Sequence, residues 1–205
     1  MRRTDLLRVA GRVARILGPQ ECLLVGGLAV GSHGYVRATR GVDFIVRADL
    51  ASVRARLLAS GIAAVLTRGD PLVERGFPCV RAMVDDVRVD LMPPLVPLAW
   101  ERAITVPLSK ATSLQVVALE DLIRLKLKAG GPKDLMDVGA LVLRHPPLDP
   151  RARKLALSFG LSDALERWLT DPRLKAEIQG AKGDRALKRL AGKVRARGEP
   201  SRRRR

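Results

Sequence analysis

Residues 23–46, LLVGGLAVGSHGYVRATRGVDFIV, contain the pattern that decides the fold. An apolar run ends at Gly26-Gly27, a short helix is predicted at 28–33, and a second buried strand at 42–46 carries Asp43. Paired glycines let backbone come close to a phosphate, and the helix that follows would offer N–H groups to it. A glycine pair by itself more often marks a tight turn without a ligand, so the rest of the chain must decide.

Outward from this stretch, the apolar pattern predicts strands interleaved with helices first and helices alone afterwards. Strands are predicted at 22–25, 42–46, 62–66, 79–84 and 87–91, the last two joined by a two-residue turn at Asp85-Asp86. Helices are predicted at 4–17, 50–60, 119–129, 133–144, 150–158, 162–170 and 184–197. The expected class is α/β, with an α/β core at 1–112, a helical half at 113–180 packed on it, and a basic helix and Arg-rich tail at 181–205.

The charge of the chain indicates a polyanionic partner. The 205 residues carry a formal net charge of +17, and residues 181–205 hold eleven basic and two acidic side chains. A basic segment of this kind attracts nucleic acid or an acidic protein, and RNA is the partner we favour. The alternative is a solvated tail with no partner. Aromatic residues make up only 3% of the chain, which argues against a stacking platform for single strands.

The expected location is the cytoplasm. No apolar stretch is long enough to predict a transmembrane helix, and charged residues interrupt any N-terminal signal segment. Cys22 and Cys79 both lie in apolar runs, so we expect buried thiols rather than a disulfide.

Several short motifs together resemble one family. The string is similar to the nucleotidyltransferase fold of DNA polymerase β type, in its small bacterial versions, which include the abortive-infection toxin nucleotidyltransferases. The residues in register with the motif of that group are Gly26, Gly27, Ala29, His33, Gly34, Arg37, Thr39 and Asp43. Further matches are Asp90 on the predicted hairpin, Lys126, and the Pro132-Lys133-Asp134-Leu135-Met136-Asp137 segment. The resemblance covers about residues 5–145.

The resemblance implies a mixed sheet of nucleotidyltransferase type, Mg²⁺, and transfer of a nucleoside monophosphate from an NTP to a hydroxyl group. The implied acceptor is an RNA end, such as that of tRNA, or a protein. Asp43 and Asp90 would be the metal-binding catalytic carboxylates. The nucleotide would be bound by Gly26, Gly27, Arg37, Thr39, Lys126 and Asp137. Carboxylates on one strand face hold metal ions that neutralise the triphosphate.

One position departs from the family pattern. Where the first aspartate of the Asp-x-Asp pair is expected, this chain has Gly41, which leaves Asp43 and Asp90 one carboxylate short. We therefore expect weakened Mg²⁺ binding, and a gain of metal binding in Gly41→Asp. Glu74, Asp85 or Asp86 would replace the missing ligand only if their loops fold over the site.

Three hypotheses remain open on the sequence alone. The chain is an active nucleotidyltransferase, a catalytically degenerate module that binds nucleotide or nucleic acid, or a toxin–antitoxin component with a cognate antitoxin protein. Smaller questions concern His33, expected at a turn or beside a phosphate, and Asp134 with Asp137, which suit a solvated helix start equally well. Zinc is not expected, because the two histidines lack partners at metal spacing.

Overall fold

A mixed sheet organises the molecule in the computed structural model, which describes residues 3–68, 77–109 and 112–180. Its strands are β1 (Cys22–Leu24), β2 (Gly41–Val46), β3 (Ala64–Thr67), β4 (Cys79–Val84), β5 (Val87–Met92), β6 (Ile104–Pro107) and β7 (Ser113–Val116). They lie in the order β3-β4-β5-β2-β1-β7-β6. The β2–β5 and β1–β7 pairs are parallel and the others antiparallel. The predicted α/β class, a mixed sheet flanked by helices, is confirmed.

The helices surround the sheet and then continue alone. They are α1 (Arg3–Leu17), α2 (Gly26–Ser32), α3 (Leu50–Ala59), α4 (Leu119–Ala129), α5 (Pro132–Arg144), α6 (Asp149–Ser158), α7 (Ser162–Thr170) and α8 (Pro172–Gly180). Short 3₁₀ turns cover Trp100–Arg102 and Pro146–Leu148. None of the described helices is both long and apolar enough to span a bilayer.

The strands near the centre of the sheet divide their side chains between two faces. Val42, Phe44 and Val46 of β2 are buried, and so are Val87, Val89 and Leu91 of β5. Since successive strand residues point to opposite faces, Gly41, Asp43, Arg88 and Asp90 share the other face. Core packing of one face thus presents the acidic residues on the other.

The β4–β5 hairpin has the predicted two-residue turn. Asp85 and Asp86 both have positive φ, at 50° and 61°, as a type I′ turn requires. Arg8 and Arg12 of α1 form ion pairs with Asp85 at 2.7 and 3.2 Å. This end of the hairpin is therefore held against α1.

Three elements differ from the sequence-based prediction. Strand β6 and helix α8 were not predicted, and 114–117, predicted only as a brief apolar run, contributes strand β7. Strand β7 pairs with both β1 and β6, so the sheet extends past the predicted boundary at residue 112. Helix α8 follows Asp171, whose side chain accepts hydrogen bonds from the backbone N–H groups of Arg173 and Leu174. The predicted helix at 184–197 and the basic tail lie outside the described residues.

Candidate functional site

The glycine pair brings the backbone of α2 against side chains of the neighbouring chain segment. Gly26 has φ +62°, and a Cβ there would lie 2.0 Å from Oδ2 of Asp43. A Cβ on Gly27 would lie 2.8 Å from Oγ1 of Thr39 and 3.3 Å from Nη1 of Arg37. The backbone N–H of Val25 donates to the carbonyl oxygen of Asp43 at 2.9 Å, which closes the turn onto β2. Any other residue pair would displace Asp43 and Thr39.

Asp43 and Asp90 lie side by side. They are direct register partners in the parallel β2–β5 pair, on the same face of the sheet. Neighbouring strands are about 4.8 Å apart, so the two carboxylates share one site. Burial raises the pKa of Asp43, and the nearby charge of Asp90 raises it further, although Lys126 and two arginines oppose this shift.

Two arginines form ion pairs with the carboxylate oxygens of Asp90. Nε of Arg81, on β4, lies 2.8 Å from Oδ1, and Nε of Arg88, two residues before Asp90 on β5, lies 3.2 Å from Oδ2. The arginine side chains are 49% and 56% exposed, while that of Asp90 is 12% exposed. We call Asp43, Arg81, Arg88 and Asp90 the open-face cluster. In the described part of the chain, Asp43 is the member that forms no ion pair.

A second group of charges lies behind the glycine pair. Arg37 holds the buried Asp137 with two hydrogen bonds, Nε to Oδ1 at 2.5 Å and Nη2 to Oδ2 at 2.6 Å. Nζ of Lys126 lies 2.9 Å from Asp137 and 2.7 Å from Asp134. Burial lowers the pKa of Lys126, but the two aspartates raise it by more, so the ammonium is charged at neutral pH. We call Arg37, Lys126, Asp134 and Asp137 the buried cluster.

A cavity of about 320 Å³ joins the two clusters. Gly26, Asp43, Lys126 and Asp134 line its polar side. Ile45, Phe77, Met92 and Leu122 are among the residues of its apolar side. The other residues predicted for the site are not among its lining residues: Asp90 is the register partner of Asp43, Asp137 contacts Lys126 and Arg37, and Gly27 lies beside Thr39 and Arg37. A larger cavity, about 670 Å³, lies between α4 and α6 and includes none of the predicted site residues.

The residues present do not fit the two-metal site that the family resemblance implies. A pair of Mg²⁺ ions needs several hard oxygen ligands, but both oxygens of Asp90 face guanidinium groups and Gly41 has no side chain. Among the described residues, no three of His, Cys, Asp and Glu gather in a way that could hold a metal ion. Asp85 faces α1 instead, Asp86 lies in the same turn, and Glu74 lies outside the described residues.

Position 41 is closed to a larger side chain for a reason that the sequence did not suggest. Gly41 does not have a positive φ, but a Cβ there would lie 2.9 Å from the carbonyl oxygen of Arg88. Arg88 is also its register partner on β5. A side chain at position 41 would therefore require the backbone of β2 or β5 to shift.

Sequence reasoning missed Arg81, Arg88 and Phe77, and it placed His33 loosely. Arg88 shares the face of Asp90 by strand alternation, and the two-residue turn sets Arg81 opposite Asp90, so both could have been found. His33 is buried at the end of α2, and its Nε2 donates to the carbonyl oxygen of Val117 at 2.8 Å. It joins α2 to the segment before α4 rather than facing the cavity. Cys22 and Cys79 are buried and free, as predicted.

No protein-family model and no curated protein sequence matches the chain. Solved structures resemble it at low identity. A protein from Thermotoga maritima assigned as a nucleotidyltransferase has 16% identity over 63% of this chain and 88% of its own, with a TM-score of 0.49. The antibiotic-resistance factor ANT(2'')-Ia has 14% identity over 96% and 94%, with a TM-score of 0.43. A Helicobacter pylori protein assigned as a nucleotidyltransferase has 15% identity over 94% and 95%, with a TM-score of 0.39. With TM-scores below 0.5, these likenesses do not decide what the chain binds or catalyses.

Proposed function

We propose that this chain is a nucleotidyltransferase-like protein that binds an NTP in the cavity between β2 and α4. The observation that carries the proposal is the convergence of Gly26, Asp43 and Lys126 on one cavity. These residues come from the start of α2, from β2 and from α4. A structural turn alone would not require a charged lysine on the same cavity wall as a carboxylate that forms no ion pair with any described residue.

The two sides of the cavity suit the two ends of a nucleotide. Phe77 and the aliphatic side chains offer a surface on which a base can pack, as apolar linings do in small-molecule sites. Lys126 offers an ammonium group to a phosphate. Asp134 and Asp137 hold this ammonium group in place and compensate its positive charge. We therefore expect moderate rather than tight binding of an anion.

Transfer would require a hydroxyl oxygen to attack the α-phosphorus, with loss of its proton and departure of pyrophosphate. Asp43 is placed to accept that proton, because its carboxylate lies on the cavity and its pKa is raised. Among the described residues, no group of carboxylates, histidines or cysteines could hold the metal ions that stabilise the charge on a leaving pyrophosphate. We therefore propose that transfer is very slow or absent and that binding is the retained property.

Titration calorimetry with each of the four NTPs tests the binding. At least one NTP should bind, and Lys126→Met should weaken it by about tenfold or more, the usual effect of losing a charge-assisted hydrogen bond. Lys128→Met is the matched control, because Lys128 is exposed on the same helix. If Lys126→Met unfolds, Lys126→Gln is measured instead. Absence of binding by every NTP would contradict the proposal.

Transfer is measured separately with labelled NTPs and two acceptors, total tRNA and total cell protein. RNA is the acceptor that the net charge of +17 favours. Label incorporation by the wild type should be close to background, and Asp43→Asn should remove what remains. Strong transfer by the wild type would show that the chain is a complete enzyme.

The basic tail gives the RNA proposal its own test. Deleting 181–205 should weaken RNA affinity and flatten its dependence on salt, because phosphate contacts release counterions. An unchanged slope of log affinity against log salt would exclude the tail as the contact. The alternative function, a binding module paired with a cognate antitoxin, predicts a small antitoxin-like protein in the neighbouring reading frame.

A further inference from the structure

In the open-face cluster, the positive charge beside the carboxylates comes from two arginines and not from metal ions. Arg81, Arg88 and Asp90 lie on two adjacent strands, and Gly41 and Asp43 lie on the third. All five share one face of the sheet because they are register partners or two residues apart. The arrangement therefore depends on the sheet itself and not on a loop.

We infer that Arg81 and Arg88 take the place of divalent cations at this site, and that NTP binding is independent of metal. The inference rests on the proposed function, since it concerns the same ligand: Arg81 and Arg88 do not line the cavity, but they hold Asp90, the register partner of Asp43 on the cavity wall. Guanidinium groups are always charged and bind phosphate oxygens in pairs. About half of each side chain is exposed, so both can contact an anion while they hold Asp90.

A divalent ion would have to compete with these contacts. At Asp90 it would share the carboxylate oxygens with Arg81, at 2.8 Å, and with Arg88, at 3.2 Å. The ion would then lie within a few ångströms of two positive charges, which repel it. The remaining carboxylate, Asp43, has Oδ2 against the backbone of Gly26.

Arg88 also affects what a carboxylate at position 41 could bind. They are register partners, so a side chain at position 41 would occupy the space beside the Arg88 backbone. An aspartate there would share the sheet face of Arg88, whose guanidinium group is a candidate ion-pair partner. We therefore expect Gly41→Asp to form an ion pair and not, as the sequence alone suggested, to restore a metal site.

The first test is NTP calorimetry on the full chain, in EDTA and in Mg²⁺. Affinity in Mg²⁺ should be no more than about threefold tighter than in EDTA. Arg81→Gln and Arg88→Gln together should weaken binding in EDTA by about tenfold or more. Arg173→Gln, on an exposed position of α8, is the matched control and should change nothing.

The outcomes separate the two proposals. Binding that requires Mg²⁺ overturns metal independence and leaves the nucleotide site intact. Binding in EDTA that does not depend on Arg81 and Arg88 also overturns it. Absence of binding in both buffers overturns the nucleotide site itself, and the inference with it.

The second test uses Mn²⁺ alone, followed by electron paramagnetic resonance of the free ion. The wild type should bind Mn²⁺ weakly, and the Arg81→Gln, Arg88→Gln double variant should bind it about tenfold or more tightly, because Asp90 is released. Gly41→Asp should bind no better than Gly41→Ala, which carries the same Cβ, unless Arg88→Gln is added. Tight Mn²⁺ binding by the wild type that Asp90→Asn removes would overturn the inference.

Discussion

The open-face cluster and the buried cluster use the same chemistry in different surroundings. Each holds a carboxylate between two cations, Asp90 between Arg81 and Arg88 and Asp137 between Arg37 and Lys126. The side chain of Asp137 is 0% exposed and that of Arg37 10%, whereas the arginines around Asp90 are about half exposed. Water can replace the partners of Asp90 but not those of Asp137.

This difference in exposure indicates that the two clusters have different roles, one in stability and the other in binding. Removing one partner from a buried pair leaves an uncompensated charge, while an exposed pair contributes little to stability. The Arg37–Asp137 pair of the buried cluster should therefore maintain the shape of the site and hold Lys126 at the cavity, and the open-face cluster should be retained for what it binds.

Asp137→Leu should be the most damaging change. It leaves Arg37 without its partner in the interior, and breaking such a pair costs about 3–5 kcal/mol of unfolding free energy. Urea unfolding measures the loss. Replacing both partners, Asp137→Leu with Arg37→Met, should cost less than the sum of the two single variants, and simple additivity would argue against a buried pair.

His33 is another buried group, and its contribution to the unfolding free energy should depend on pH. Burial lowers its pKa from 6.5 to about 4, although the hydrogen bond to the carbonyl oxygen of Val117 opposes this shift. The unfolded chain takes up the proton first, so the stabilisation is complete above pH 6.5 and is lost progressively down to about pH 4. The loss should be on the order of 3 kcal/mol.

Unfolding free energy measured from pH 7 to pH 4 tests this slope. His33→Gln keeps a donor near Val117 and cannot titrate, so its stability should depend less on pH than that of the wild type. Equal slopes for the two proteins would show that His33 is not the group responsible.

The contribution of Asp43 to stability should depend on pH in the opposite direction. Burial and the charge of Asp90 raise its pKa, so the folded state holds the proton more firmly than the unfolded chain. Its contribution is then most favourable below the ordinary value of 3.8 and is lost as pH rises through the raised value. Asp43→Asn should raise Tm at pH 7, and the difference should narrow towards pH 3.8. A lower Tm at pH 7 would mean that Asp43 has a stabilising partner.

The strands that carry the site could be predicted from the sequence, whereas two short strands at the edge of the sheet could not be predicted from local apolar patterns. Strands β2 and β5 were predicted because their apolar residues are sufficient to identify them. Strands β6 and β7 have only four residues each, and β6 ends at a proline, so local pattern indicated them poorly. The place of β7 in the sheet depends on pairing with β1, which is a long-range contact, and β6 is added through β7.

The site was partly predictable for similar reasons. Gly26-Gly27, Asp43, Asp90 and Lys126 were singled out because their motifs resemble a family. The β2–β5 register that sets Asp43 beside Asp90 is parallel, and no turn length fixes it. The cations near Asp90 were missed because the family motif does not include Arg81 and Arg88, although strand alternation and the hairpin turn place both on the face of Asp90.

The smallest effect should come from the arginines of the open-face cluster. Arg81→Gln and Arg88→Gln should each change the unfolding free energy by less than about 1 kcal/mol, since exposed ion pairs gain little over hydration. The pair that they form with Asp90 should show a small coupling in a double-mutant cycle with Asp90→Asn. If urea unfolding instead shows a loss of about 3 kcal/mol or more, as expected for Asp137, Asp90 belongs with the buried charges. Near-neutral stability, combined with a large loss of NTP affinity in the same variants, would place Arg81 and Arg88 among the binding residues, because a purely structural pair would lose both together.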